Sequence, residues 1–189
     1  MFPIILLLTG CLAASSSIIF IKLSTLHPAL LGPYRLILAA LVLMPLFIRD
    51  FKSSSLKQIL RISFIPGLLL GFHFITWIYG GRMIPAVNST VIVNMVPVVM
   101  PFIIFFMTRE RLTRRELIGT IISVSGILVL AVRDFSLDRM TFIGDLLCFV
   151  SMILFALYLS FSRKKEGSVS LWLYIVPIYL IGGIFCFLV

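Results

Sequence analysis

The stretch IPAVNSTVIVNMVPVVMPFIIFFM, residues 84–107, runs for 24 positions without a charged side chain. A membrane-spanning α-helix needs about 20 consecutive, mainly apolar residues to cross the hydrocarbon core of a bilayer. Because the apolar residues here form continuous runs and do not alternate with polar ones, a helix is favoured over a transmembrane strand. The stretch therefore predicts a helix that lies within a membrane.

Similar apolar runs fill the chain on both sides of this stretch. They predict seven spans, at residues 2–21, 29–48, 62–79, 84–107, 117–132, 140–161 and 171–189. The fifth is short for a bilayer and is expected to borrow residues beyond 132. With 61% hydrophobic and only 12% charged residues, the chain has too few polar side chains to cover a soluble globule. We expect an all-α, polytopic helical membrane protein.

The net charge of +9 is concentrated in the short loops between the predicted spans. If odd-numbered spans leave the cytoplasm, eleven basic residues lie on the cytoplasmic side: Arg49, Lys52, Lys57, Arg61, Arg109, Arg111, Arg114, Arg115, Arg163, Lys164 and Lys165. The other five lie at or near the opposite side: Lys22, Arg35, Arg82, Arg133 and Arg139. Cytoplasmic loops are enriched in Lys and Arg. The bias predicts a multi-pass protein of the cytoplasmic membrane with its N-terminus in the cytoplasm, and basic residues that contact lipid head groups, not nucleic acid.

The sequence patterns of enzymes and metal sites are missing. The two histidines, His27 and His73, do not form an HExxH pair, and neither a GxSxG nor a GxxxxGK[ST] segment occurs. The seven acidic residues lie almost wholly in loops, so no helix face carries a pair of carboxylates. We therefore expect no enzyme activity, no bound metal and no cofactor.

Polar and aromatic side chains on helical stripes within the spans are the candidates for solute binding. His73 and Trp77 lie one turn apart on span three, and Thr90 and Asn94 lie one turn apart on span four. A similar stripe on span six is formed by Ser151, Phe155, Tyr158 and Ser162. His73 and Asn94 are too polar to face lipid, so each lines a cavity or forms an interhelical hydrogen bond. For Trp77 and Tyr158 the alternative is a position at the membrane interface.

Prolines and charged residues within the spans are the other anomalies. Pro97 and Pro101 are expected to interrupt the hydrogen-bond ladder of span four twice and to kink it. Bent helices near the midplane are common where transporters bind their substrates. Arg35, about two turns into span two, either snorkels to the outer head groups or serves as an anion-binding or gating residue. Lys22 and Asp145, near helix ends, are expected to have structural roles.

Two stripes of small residues predict close helix packing. Gly67 and Gly71 are four residues apart on span three. Gly119, Ser123 and Gly126 form a similar stripe on span five. Glycine at this spacing lets the backbones of two membrane helices approach each other.

The segment PAVNSTVIVNMVPVVMPFIIFFMTRERLTRRELIGTIISVSGILVL, residues 85–130, resembles the EamA family of the drug/metabolite transporter superfamily. The matching positions in it are Pro97, Glu110, Arg111, Leu112, Glu116, Gly119 and Gly126. Matching positions elsewhere are Lys22, Pro28, Arg35, Gly144, Ala156, Leu157, Tyr158, Arg163 and Lys164. The chain departs from the family in its first helix, where Ser15 and Ser16 replace a frequent Trp-Gly pair.

This resemblance implies two inverted five-helix repeats, ten helices in all, around a central substrate cavity. Residues 1–134 correspond to the first repeat and residues 140–189 to the incomplete start of the second. Three helices of the second repeat are then missing, so the sequence is either a fragment or a truncated product; we expect a fragment, because the second repeat as given could not enclose a cavity. Residues 1–189 alone are expected to be inactive in transport and poorly stable unless they form a homo-oligomer.

The resemblance also implies the function. The expected activity is transport of a small organic solute (an amino acid, another metabolite or a drug), as an exporter working by alternating access. The expected partners are that solute and the lipid bilayer. The alternative is a non-transporting membrane scaffold or sensor, whose polar residues only hold helices together.

Overall fold

The structure is a computed structural model that describes residues 2–51, 55–109, 113–131, 139–165 and 169–189. The eight elements in these ranges are all helices. They are α1 (Phe2–Leu23), α2 (Pro28–Asp50), α3 (Leu56–Met83), α4 (Ala86–Val93), α5 (Val96–Thr108), α6 (Arg114–Ala131), α7 (Arg139–Lys165) and α8 (Leu171–Leu188).

Every predicted span coincides with one helix, or with the pair α4 and α5 for residues 84–107. Five segments are long and apolar enough to cross a membrane: Pro28–Asp50, Leu56–Met83, Ala86–Phe106, Met140–Lys164 and Leu171–Leu188. A shorter apolar helix runs over Leu8–Leu23 within α1. In α6 the charged first turn shortens the apolar part, and residues 132–138, from which the fifth span was expected to borrow, lie outside the described ranges. The prediction of an all-α, polytopic membrane protein is confirmed.

The helices extend further than predicted at the end that the charge bias assigns to the cytoplasm. Arg49 belongs to α2, Lys57 and Arg61 belong to α3, and Arg163 belongs to α7, so these basic residues lie in helical end turns and not in loops. The apolar pattern locates only the part of a helix that crosses the hydrocarbon core. Backbone hydrogen bonding continues beyond it into the head-group region.

Contacts between helix ends agree with a chain that crosses the membrane in alternating directions. At one end, the Ser170 hydroxyl before α8 donates to Asp50 at the end of α2. Arg163 of α7 and Glu116 of α6 form an ion pair at the same end. At the other end, Arg82 of α3 donates to the carbonyl oxygens of the turn between α1 and α2.

Helix α3 is at the centre of the bundle, packed against α7 and α8, while α2 packs against α8. Glycines make the close crossings. A Cβ atom built on Gly67 would lie 2.8 Å from the Ile181 side chain, and one on Gly71 would lie 3.0 Å from the Gly182 carbonyl oxygen. The predicted packing role of Gly67 and Gly71 is confirmed, because no larger residue fits there without movement of α8.

The corresponding prediction for α6 is wrong within the described structure. Cβ atoms built on Gly119 and Gly126 have no neighbouring atom within 4 Å. The Ser123 hydroxyl donates to the Gly119 carbonyl oxygen of its own helix, at 2.9 Å. Small residues at helical spacing permit a close approach, but they do not supply the partner helix.

Large apolar side chains cover the outer faces of the bundle. Leu12 of α1, Val42 of α2 and Phe106 of α5 are 72%, 77% and 73% exposed. Such a continuous apolar exterior is unfavourable in water and matches the hydrocarbon core of a bilayer. These faces suit contact with lipid or with further membrane helices.

The fourth predicted span is broken once, between α4 and α5. Asn94 and Met95 separate the two helices, and Pro97 lies in the first turn of α5. Pro97 has no N–H for the Val93 carbonyl, and its ring crowds that carbonyl, so the ladder stops one turn before the proline. Helix α5 then continues through Pro101, which has no N–H to donate to the Pro97 carbonyl. The hydrogen-bond ladder therefore lacks a donor at both prolines, as predicted, but the helix itself is broken once, before Pro97.

Candidate functional site

A cavity of about 240 Å³ lies between α1, α2, α3, α4 and α7. Its lining contains six residues that the sequence singled out: Arg35, His73, Trp77, Thr90, Asn94 and Phe155. The remaining lining residues are Cys11, Ala14, Ser15, Ile18, Phe74 and Val93. Side chains far apart in the chain thus converge on one space.

His73 is buried on α3 and joins it to α7. Its Nδ1 lies 3.0 Å from the carbonyl oxygen of Ser151 and 2.8 Å from the Ser151 hydroxyl oxygen. Because a carbonyl oxygen can only accept, Nδ1 carries the proton in this arrangement, and the Ser151 hydroxyl donates to the His73 carbonyl oxygen at 3.1 Å. Nε2 is then the acceptor of the ring. His73 both lines the cavity and forms an interhelical hydrogen bond.

Aromatic rings hold His73 in place from both sides. The Phe155 ring stacks on the imidazole with centroids 4.7 Å apart, and the Trp77 ring stacks with centroids 5.8 Å apart. Stacked rings with these separations are within the favourable range for aromatic pairs. The result is a rigid aromatic wall that presents one polar group.

Trp77 is itself fixed by a serine that the sequence did not single out. Its Nε1–H donates to the Ser89 hydroxyl oxygen at 3.1 Å, and the Cys148 thiol donates to the same oxygen at 3.5 Å. Ser89 is fully buried and joins α3, α4 and α7. Trp77 therefore lies inside the bundle, not at the membrane interface.

Thr90 and Asn94 form the α4 side of the cavity. The Thr90 hydroxyl donates to the Ala86 carbonyl oxygen at 2.7 Å, and the Asn94 side-chain amide donates to the Thr90 carbonyl oxygen at 2.7 Å. The Thr90 carbonyl oxygen also accepts the Asn94 backbone N–H at 3.0 Å, so the Asn94 side chain folds back on the last turn of α4. Its amide is thereby held at the helix break, where it borders the cavity.

The Arg35 side chain contacts α1 and α3 and borders the cavity, while part of its surface is exposed. One of its terminal nitrogens donates to the Ser17 hydroxyl oxygen of α1 at 2.9 Å. Its guanidinium carbon lies 5.0 Å from the centroid of the Phe74 ring and 5.6 Å from that of Trp77. A hydroxyl and two π faces on neighbouring helices therefore orient the cation towards the cavity. Snorkelling to the outer head groups stays the alternative prediction for Arg35.

Three other residues proposed from the sequence do not line the cavity. Tyr158 is buried on α7 with its ring stacked on Phe155, at a centroid distance of 5.8 Å. Pro97 and Pro101 lie in α5, beyond the helix break. Tyr158 supports the cavity wall by stacking on Phe155, which lines the cavity. Pro97 acts on the cavity through the helix break that precedes it.

The described cavity lining contains no carboxylate. Among the residues that the structure describes, no three His, Cys, Asp or Glu side chains come together as a metal site would require. The cavity therefore combines one cation, several neutral polar groups and an aromatic wall.

This partly open space, which combines a few polar groups with an aromatic wall in a bundle of apolar helices, has the character of a solute site. The model of one protein family, described as the EamA-like transporter family, matches residues 1–132. The chain belongs to this family. No curated protein and no solved structure matches it. Members of the family are membrane transporters of small solutes and in general not enzymes.

The EamA-like motif before α6 has a local structural explanation. The Thr113 N–H and hydroxyl both donate to a Glu116 carboxylate oxygen at 2.8 Å, and the Glu116 N–H donates back to the Thr113 hydroxyl oxygen at 3.3 Å. This is a capping box, which satisfies free N–H groups at a helix start. These bonds from Thr113 hold the pKa of Glu116 below its usual value. Glu110, Arg111 and Leu112 of the same motif lie outside the described residues.

Lys22 and Asp145 of this transporter were both predicted to have structural roles, and the structure explains only the first. The Lys22 ammonium donates to the Ile84 carbonyl oxygen at 2.6 Å and so ties the end of α1 to the start of α4, as the predicted structural role requires. The Asp145 Oδ1 atom is buried without a hydrogen-bond partner among the described residues. The structure offers no contact that explains Asp145.

Proposed function

We propose that the protein exports a small organic solute across the cytoplasmic membrane through the cavity between α1, α2, α3, α4 and α7. The observation that carries this proposal is the convergence of Arg35, His73, Thr90 and Asn94 on one space beside a helix break. In lipid, irregular backbone is tolerated only where it is buried in protein or lines a cavity. The break at Asn94 meets this condition, and the family membership agrees with it.

The mechanism proposed is alternating access, in which one group of helices rocks against another around the site. Residues 1–134 are the first repeat in this proposal, and residues 140–189 begin the second. The family match over residues 1–132 supports this division. Because α7 contributes Phe155 to the cavity beside residues of α1 to α4, relative movement of the two parts would change access to it.

The alternative function is that of a non-transporting scaffold or sensor. The observation in its favour is the interhelical hydrogen bond between His73 and Ser151, which occupies one nitrogen of the most polar ring in the cavity. A scaffold needs such bonds but needs no solute. Measurement of flux separates the two functions.

Transport through the cavity predicts that Asn94→Leu reduces solute flux about tenfold or more, because the site loses the amide that borders it at the helix break. The full-length form of the protein would be expressed in cells, and the efflux of a panel of amino acids and other metabolites would be compared with an empty vector. Flux would be normalised to the amount of protein in the membrane.

Ser123→Ala is the matched control, since its hydroxyl bonds only its own helix and lies far from the cavity lining. We expect its flux to equal that of the wild type. If no solute moves faster than with the empty vector, the scaffold function is favoured. Unchanged flux in Asn94→Leu would show that the solute does not pass through this cavity.

The proposed orientation predicts which loops are reached from outside the cell. Thr25, in the exposed turn between α1 and α2, should react as Thr25→Cys with an impermeant thiol reagent in intact cells. Ser55, the exposed N-cap of α3, should react as Ser55→Cys only after the cells are permeabilised. The background would carry Cys11→Ser, since Cys148 and Cys186 are buried. The opposite labelling pattern would invert the topology and contradict the charge argument.

A further inference from the structure

The charge of Arg35 is the feature of the cavity that transport in general does not explain. A guanidinium has five N–H donors in a planar fork. The described structure gives it one hydrogen bond, to Ser17. The aromatic faces of Phe74 and Trp77 contact the cation without accepting conventional hydrogen bonds. Most donors of Arg35 are therefore available to a molecule in the cavity.

No protein anion balances this charge among the described residues. Their ion pairs, Arg49 with Asp50 and Arg163 with Glu116, lie at the helix ends and not in the cavity. The cavity lining adds His73, Thr90 and Asn94, which are a ring held by Ser151 and two neutral polar groups. An unbalanced cation within a membrane is costly and marks a site for an anion.

The remaining walls are apolar and aromatic. Phe74, Trp77 and Phe155 lie on the α3 and α7 sides, with Ile18 and Val93 completing the surface. The volume of about 240 Å³ is just below the range of about 300–1,000 Å³ usual for ligand pockets, which favours a small metabolite. The site therefore has one cationic end and an apolar body.

We propose that the solute is a small organic carboxylate, whose carboxylate accepts hydrogen bonds from the Arg35 guanidinium while its apolar part lies against Trp77 and Phe155. This inference rests on the proposed function, because it names the solute class of the same cavity. Arginine suits the task because its planar fork matches the two oxygens of a carboxylate. Ser17 positions the guanidinium by accepting one of its hydrogen bonds.

The direct test compares three probes of nearly equal shape: phenylacetate, the neutral phenylacetamide and the cationic 2-phenylethylamine. Binding would be measured on the purified chain in detergent by tryptophan fluorescence. The chain has two tryptophans, so a Trp172→Phe background leaves Trp77, in the cavity wall, as the reporter. We expect phenylacetate to bind at least about tenfold more tightly than the amide, as a charge-assisted hydrogen bond provides, and the amine to bind more weakly than both.

Arg35→Gln should remove the preference for phenylacetate over phenylacetamide, because it removes the charge that favours the acid, and should weaken binding of the acid more than binding of the amide. Arg35→Lys should keep part of the preference, because it retains the charge but not the fork. Arg49→Gln is the matched control: it removes an exposed arginine on the same helix, outside the cavity, and should keep the full preference. Thermal unfolding of each variant would confirm that it is folded.

The wild-type comparison alone can overturn the inference, without any variant. Equal affinities for acid and amide, tighter binding of the amine, or no binding of phenylacetate at millimolar concentration would each do so. Retained acid preference in folded Arg35→Gln would overturn it as well. Export of neutral or cationic solutes but not of carboxylates contradicts this inference and leaves the transport function intact. Arg35-dependent binding of phenylacetate without flux of any solute supports this inference and contradicts the transport function.

Discussion

Gly80→Ala is expected to lower the free energy of unfolding by about 1–3 kcal/mol, the usual effect of overpacking a tight contact. A Cβ atom on Gly80 would lie 2.7 Å from the Gly144 carbonyl oxygen, 2.9 Å from the Leu147 Cβ atom and 3.0 Å from the Cys148 sulfur. The nearest of these atoms belongs to the α7 backbone, which cannot rotate away. Relief requires the separation of α3 from α7, the crossing next to the Ser89 hydrogen bonds. Thermal unfolding in detergent would measure the loss.

Gly119→Ala is the matched control, because the same methyl group on α6 meets no atom within 4 Å. Alanine is favoured over glycine in a helix by up to about 1 kcal/mol, so this variant should be as stable as the wild type or slightly more stable. The two substitutions thus differ in the sign of the effect. Equal stability of Gly80→Ala and the wild type would show that α3 and α7 do not cross as closely as described.

His73→Leu is expected to reduce solute flux by about tenfold or more, with a smaller effect on the amount of protein in the membrane. Leucine fills a similar space but removes the hydrogen bond to Ser151, the stacked ring and the polar edge in the cavity. If the solute-bound state that limits transport loses about 1.4 kcal/mol of stabilisation, the rate of transport falls about tenfold. Flux normalised to membrane protein would test this.

Two further variants separate polarity at the site from packing of the bundle. His73→Gln retains an N–H donor that can reach Ser151 and should keep more flux than His73→Leu. Thr76→Val removes a hydroxyl one turn away that bonds only carbonyls of α3, and it should transport like the wild type. If His73→Leu transported as fast as the wild type, His73 would serve only as a contact between helices and would not belong to the solute path.

The number and positions of the membrane helices could be predicted from the sequence because each span satisfies its own backbone. In hydrocarbon, a stretch of about 20 apolar residues has no alternative to the helix. This local requirement placed residues 84–107 and the other six spans correctly. The same requirement could not place the helix break, since either Pro97 or Pro101 can interrupt a helix. The structure has a single break, before Pro97, and both halves, α4 and α5, pack against α7.

The polar residues of the cavity were also predictable as a class. His73, Thr90 and Asn94 are unfavourable in lipid, so each had to face protein or a cavity. The sequence could not determine their partners. Ser89 and Ser17 carried no signal, because a serine in an apolar helix can bond its own backbone, as Ser123 does, or a side chain of another helix.

By itself the sequence determined the class of the protein, the helical spans, the charge asymmetry and the set of polar residues that avoid lipid. The tertiary structure alone decided that Arg35 contacts α1 and α3, that Gly67 and Gly71 meet α8, and that Gly119 meets no other helix among the described residues. The physical reason is that the first group depends on the transfer of each segment from water into hydrocarbon. The second depends on which helix faces are neighbours, and apolar faces that pack equally well against lipid or against another helix do not encode this choice.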